Sequence, residues 1–143
     1  MQSGAMMRII LFTLALAAAS PVAAQDRIWP RDAGSGQPAV VQPVPRQPMT
    51  ELITPDDYPA AALRANEEGE VSIRLLVSAK GRASDCAIRQ SSGSRTLDAW
   101  TCWILKRRAG FTPALDAAGK PTHAVFDHVV TWKITEEIRR GPR

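Results

Sequence analysis

EVSIRLLVS, residues 70–78, constrains this chain more than any other stretch. Val71, Ile73, Leu75 and Val77 point one way, and Ser72, Arg74 and Ser78 the other. That two-residue period is the pattern of a half-buried strand, which needs a strand partner and a cover for its apolar face. Ala79-Lys80-Gly81-Arg82 follows as a tight turn, with Gly81 able to take a positive φ. The return strand runs from about Ala83 to Gln90, but Ala83 is out of phase with Cys86 and Ile88 by one residue. A bulge near Ser84-Asp85 restores a common face and turns Cys86 inward beside Ile88.

Elements on either side supply the cover. Upstream, Asp56 and Asp57 are candidate N-caps for a short helix from Pro59 to about Glu67, with Gly69 as its stop. Downstream, Ser91-Ser92-Gly93-Ser94 breaks the strand, and Thr96 to about Ala109 has helical periodicity. Leu97, Thr101, Ile104 and Leu105 form its core stripe, with Cys102 on the edge of that stripe. Trp103 points away from the stripe near Arg107, with Trp100 between, which marks Trp100, Trp103 and Arg107 as a candidate partner patch. Packing of Trp103 against the first helix or the preceding segment is the alternative. Lys106-Arg107-Arg108 suits a helix C-terminus. After Phe111-Thr112-Pro113 and a loop at 116–121, residues 122–134 read as one long strand. Ala124, Phe126, Val130, Trp132 and Ile134 face the core, and Val125, Asp127, Val129, Thr131 and Lys133 face outward. Thirteen residues reach roughly 40 Å at about 3.3 Å each, so this strand is expected to overhang its shorter partner and leave backbone groups unpaired.

The N-terminus has the layout of a secretory leader: Arg8, an apolar run from Ile9 to Ala19, a break at Ser20-Pro21, then Val22-Ala23-Ala24 before a cleavage point. The run is about half the roughly 20 residues a bilayer span needs. Residues 1–24 are therefore read as a signal peptide and 25–54 as a Pro-rich tether, with Pro38, Pro43, Pro45 and Pro48 favouring extended backbone. Residues 55–134 are the folded domain and 135–143 a charged tail. An exported chain meets an oxidising compartment, so Cys86 and Cys102 are expected to form a disulfide clamping the second helix to the second strand. Without the leader the chain carries 14 acidic residues against a basic set reduced by Arg8 alone, a mild excess that does not point to nucleic acid. Two cysteines without a neighbouring CxxC or histidine pair make a poor metal site.

Helix, hairpin, helix and long strand behind a Pro-rich exported tether resemble the C-terminal domain of the TonB family. The resemblance covers residues 55–134. It rests on Tyr58-Pro59, Gly69 before Val71, Gly81-Arg82, Ser91-Ser92-Gly93, Leu97-Asp98, Phe111-Thr112-Pro113, and Gly119 and Pro121. It implies an α+β fold: a three-stranded antiparallel sheet with two helices on one face. It also implies that an extended segment of an outer-membrane transporter, the TonB box, adds as a strand along Phe126, Asp127, His128, Val129, Val130, Thr131, Trp132 and Lys133. Strand addition is a general mode of peptide recognition.

Family transducers keep an N-terminal transmembrane helix, whereas this apolar run reads as cleavable. Two readings follow: a periplasmic module that binds a TonB-dependent transporter or another envelope protein, and a transducer anchored in the inner membrane. Whether the exported protein begins at Gln25 separates them. The final edge can also be covered by the tail or by a second copy of the domain. No cofactor is expected, and no enzyme: His123 and His128 leave a strand on opposite faces, so with Asp127 they form no relay.

Overall fold

The computed structural model describes residues 39–140. The expected leader, the first part of the tether and the end of the tail lie outside them. In chain order the elements are β1 (Val44–Pro45), α1 (Ala60–Arg64), β2 (Gly69–Val77), β3 (Ala83–Gln90) and α2 (Arg95–Arg108). There follow β4 (Phe111–Thr112), β5 (Ala114–Leu115), β6 (Pro121–Thr122), β7 (Ala124–Trp132) and α3 (Glu136–Arg140). Two short 3-10 turns, Met49–Glu51 and Pro55–Asp57, precede α1. The central sheet has the order β3-β2-β7, antiparallel throughout, with β1-β4 and β5-β6 as separate two-stranded ribbons. The fold is α+β, as expected.

Strand β2 keeps its sequence pattern. Val71, Ile73, Leu75 and Val77 are fully buried, and the residues between them are half-buried on the opposite face. In β3 the pairing shifts by one residue between Leu76 and Val77, where Leu76 meets Asp85 and Val77 meets Ala83, so Ser84 is the extra residue. The bulge thus falls where the phase of Ala83 required it. A second shift lies between Ser72 and Ile73.

Helix α2 lies over β3 and β2 and buries Leu97, Thr101, Ile104 and Leu105. Its start is capped by Ser94, whose hydroxyl accepts from the Leu97 N–H at 3.2 Å. The one polar residue of the stripe is satisfied twice: the Thr101 hydroxyl donates to the Leu97 carbonyl at 2.7 Å and accepts from the Trp132 indole at 2.8 Å. Cys86 and Cys102 are bonded, with Cα atoms 5.6 Å apart, tying α2 to β3.

Three expectations need correction. The first helix is shorter than its pattern, Ala60–Arg64 rather than Pro59 to Glu67. Pro59 keeps Tyr58 extended, at φ −64° and ψ 121°, so the helix starts only after the proline. Asn66, at φ 51°, ends it, with the Glu67 N–H bonded to the Ala62 carbonyl. Asp57 does not cap this helix. Its carboxylate accepts from the Thr54 N–H and hydroxyl, and it receives both arms of Arg108 at 2.6 and 2.7 Å.

The second correction concerns the tether. Val41 bridges Leu115, β1 pairs with β4, and Met49 and Leu52 are 8% and 2% exposed within the main core. Burying a side chain such as Leu52 contributes about 2 kcal/mol. Proline density conceals this anchor because β1 borrows a partner far along the chain rather than alternating by itself.

The third is the last strand. It breaks at His123: Pro121–Thr122 pairs with Ala114–Leu115, and β7 proper matches β2 residue for residue from Gly69↔Trp132 to Val77↔Ala124. The two strands are equally long, so nothing overhangs. What β7 leaves open, among the described residues, is its lateral edge.

The Asp57–Arg108 pair has a pH signature. The Arg108 hydrogen bonds lower the Asp57 pKa from 3.8 to about 2, against the opposing effect of burial. A carboxyl more acidic in the folded state stabilises the fold above the unfolded pKa, and that contribution fades as pH falls from about 4 to 2. With Arg108 43% exposed, solvent screening reduces it to about 1 kcal/mol. Arg108→Gln is expected to weaken acid-induced loss of stability between pH 4 and 2 by about this amount, read by urea unfolding across pH.

Candidate functional site

Strand β7 is an edge of the sheet. One side pairs fully with β2, and among the described residues no strand pairs with the other. Every second residue of an antiparallel edge strand therefore directs both its N–H and C=O outward, a template for another extended segment.

The side chains along this edge divide as the alternation requires. Phe126 is half-buried against Phe111, with ring centroids 5.1 Å apart. His128 lies on the same face, 6.3 Å from the Phe126 ring, and burial lowers its pKa. Val130 and Trp132 complete that face and are buried. Trp132 meets Tyr58 edge to face at 5.3 Å, and the Tyr58 hydroxyl donates to the Glu67 carbonyl.

On the opposite face Val125 and Val129 are 41% and 51% exposed. Asp127 lies between them, directly opposite Arg74 on β2, and accepts two hydrogen bonds from its guanidinium at 2.7 Å each. Those bonds hold the Asp127 carboxyl below its ordinary pKa, so it stays ionised and paired with Arg74. The Thr131 hydroxyl reaches Glu70 at 3.3 Å. Lys133 is exposed just beyond the end of the strand. The expected group 126–133 is thus contiguous, but it presents two faces of different chemistry. His123, Asp127 and His128 do not converge: Asp127 is held by Arg74, and His128 lies on the other face.

Beside the end of β7 is a cavity of about 280 Å³ that the sequence did not announce. Ile53, Pro55, Tyr58, Trp132, Lys133 and Ile138 line it. Helix α3 lies against the Pro55–Asp57 turn and closes one side. The available signal was Ile138, the one apolar side chain of a charged tail.

The second expected patch is on α2. Trp100 and Trp103 stack with centroids 4.7 Å apart and planes 11° apart, and the Arg107 guanidinium lies 4.8 Å over the Trp103 ring. The Trp100 indole donates to the Asp57 carbonyl at 2.7 Å, and Trp103 stays 46% exposed. The three cations closing α2 have separate contacts. Lys106 approaches Asp85 at 3.8 Å, Arg107 covers Trp103, and Arg108 holds Asp57 while donating to the Leu52 carbonyl. Among the described residues no group of three or more His, Cys, Asp or Glu side chains could hold a metal ion, and no helix is long and apolar enough to cross a membrane.

A model of the family described as Gram-negative bacterial TonB protein C-terminal matches residues 54–134. The chain is also similar to the solution NMR structure of the Pseudomonas aeruginosa TonB CTD, at 22% identity. That likeness covers 67% of this chain and 90% of that one, with a TM-score of 0.49. No curated protein matches.

Proposed function

The chain belongs to the Gram-negative bacterial TonB C-terminal family, and from that premise we propose that the outer edge of β7 captures an extended, TonB-box-like segment of an outer-membrane transporter or another envelope protein. The family fits a role in envelope transport and interaction rather than in catalysis. The observation that carries the proposal is the edge position of β7, paired along one side only among the described residues. Main-chain hydrogen bonds to the outward groups provide affinity. Side chains of the added strand alternate between Val125 and Val129 on one face and Phe126, His128 and Val130 on the other, so an apolar segment fits best. A large apolar residue at one end of that segment would reach the cavity beside Trp132.

Adjacent proline substitutions test this. At neighbouring β7 positions such as His128 and Val129, only one N–H points outward and the other bonds to β2. His128→Pro and Val129→Pro are therefore expected to differ: one unfolds the sheet edge, and the other leaves the β2-β7 ladder intact but loses peptide capture. Capture by TonB-box peptides is read by calorimetry and folding by amide spectra. Unchanged capture in the variant that keeps the ladder contradicts the proposal.

A further inference from the structure

We propose that the Trp100–Trp103–Arg107 stack on α2 is a second docking surface, one that takes a carboxylate-bearing, acidic segment of a partner protein. It is separate from the peptide edge: α2 lies over β3 and β2, whereas β7 is the far strand of the sheet.

Three features of the stack point to a carboxylate. Arg107 makes no ion pair among the described residues, although its neighbours Lys106 and Arg108 both face acids. Its guanidinium carbon nevertheless lies 4.8 Å over the Trp103 ring centroid, and a planar fork of donors positioned beside that ring matches a carboxylate bidentately. Two carboxylates beside or on α2 are already committed: Asp57 to Arg108, and Asp98 to the Ser92 N–H and hydroxyl. On the exposed surface of α2, Arg95, Ala99, Trp103 and Arg107 therefore follow one another with no ion pair to Arg95 or Arg107 among the described residues, while Lys106 approaches Asp85.

The stack is also prepared to bind. Trp100 is pinned to the Asp57 carbonyl, and Trp103 contacts both Trp100 and Arg107, so less side-chain freedom remains to be lost. Rigid tryptophan beside arginine is the composition of interface hot spots. A lipid surface fits less well, because Trp103 stacks on Trp100 and carries Arg107 over its ring rather than standing free to insert. Exposed Ala99, one turn before Trp103, leaves room for an apolar side chain next to the bound acid.

The test uses the full chain, labelled with nitrogen-15 and titrated with the probe peptide acetyl-(Glu-Leu)3-amide. The expected result is a saturable shift of the Trp103 indole N–H, with affinity falling at least about tenfold in Arg107→Gln. Arg107→Lys is expected to fall nearly as far, because it keeps the charge but loses the planar fork. Both variants should still capture a TonB-box peptide on β7. The proposal is overturned if the Trp103 signal does not move. It is equally overturned if the shift persists unchanged in Arg107→Gln, or if the lysine analogue acetyl-(Lys-Leu)3-amide binds as well. Phosphatidylglycerol vesicles moving the indole while the acidic peptide does not would assign the surface to lipid instead.

Discussion

Gly81→Ala lowers the stability of the domain by about 3 kcal/mol, or roughly 15 °C in Tm for a domain near 100 residues. Gly81 has φ 75°, and a Cβ built there lies 2.1 Å from the Phe111 carbonyl oxygen. That oxygen belongs to backbone and cannot rotate away as a side chain could. The Phe111 N–H in turn donates to the Gly81 carbonyl at 2.8 Å, so the β2-β3 turn and β4 are joined at this point. Left-handed strain on alanine costs about 1 kcal/mol. Moving β4 loosens the hydrogen bond and the seat of fully buried Phe111, which together cost about 2 kcal/mol more. Gly93→Ala is the internal control. Its φ is 92°, but a Cβ there meets nothing within 4 Å, so it pays the strain alone, about 1 kcal/mol. Equal losses at the two glycines in thermal unfolding would show that the close approach to Phe111 is not what matters.

Removing the disulfide has a comparable effect. Cys86 and Cys102 are 16 residues apart in sequence and join α2 to β3. Closing a loop of that length in the unfolded chain stabilises the fold by about 3 kcal/mol in the chain-entropy model. The double substitution Cys86→Ala with Cys102→Ala is expected to lower Tm by about 15 °C and to make unfolding insensitive to reductant. The wild-type protein should lose a similar amount when reduced. Helix α2 keeps Leu97, Thr101, Ile104 and Leu105 in the core, so the reduced protein is expected to fold to the same structure at low temperature. Unfolding midpoints that coincide with and without reductant would contradict a bond formed in the native protein.

The parts of the fold that were legible in the sequence are those whose side-chain period is set by a single buried face. Val71 to Val77, the α2 stripe and the two faces of β7 all follow that rule, and the phase slip at Ala83 located the Ser84 bulge. The disulfide was legible because the phase of β3 and the edge of the α2 stripe bring the two thiols together. Strand ends were not legible. Residues 122 to 134 alternate without interruption, but β7 ends where β2 ends, and Thr122 pairs with Ala114 instead. The packing of Met49 and Leu52 was hidden for a similar reason, since both are buried in a core built from residues far along the chain, and Arg108 donates to the Leu52 carbonyl from there. In the candidate site, the strand itself could be read from pattern and resemblance. The cavity beside Trp132 could not, because it forms only when α3 comes to lie beside the Pro55–Asp57 turn.

Strand addition along β7 is tested most directly by following backbone amides of the nitrogen-15-labelled protein as a TonB-box peptide is added. The expected result is saturable shifts at alternate positions within 126–133, together with slowed solvent exchange at those same amides, because they gain hydrogen-bond partners. Saturable shifts confined to other parts of the domain, with residues 126–133 unmoved and exchanging as before, would contradict capture at this edge.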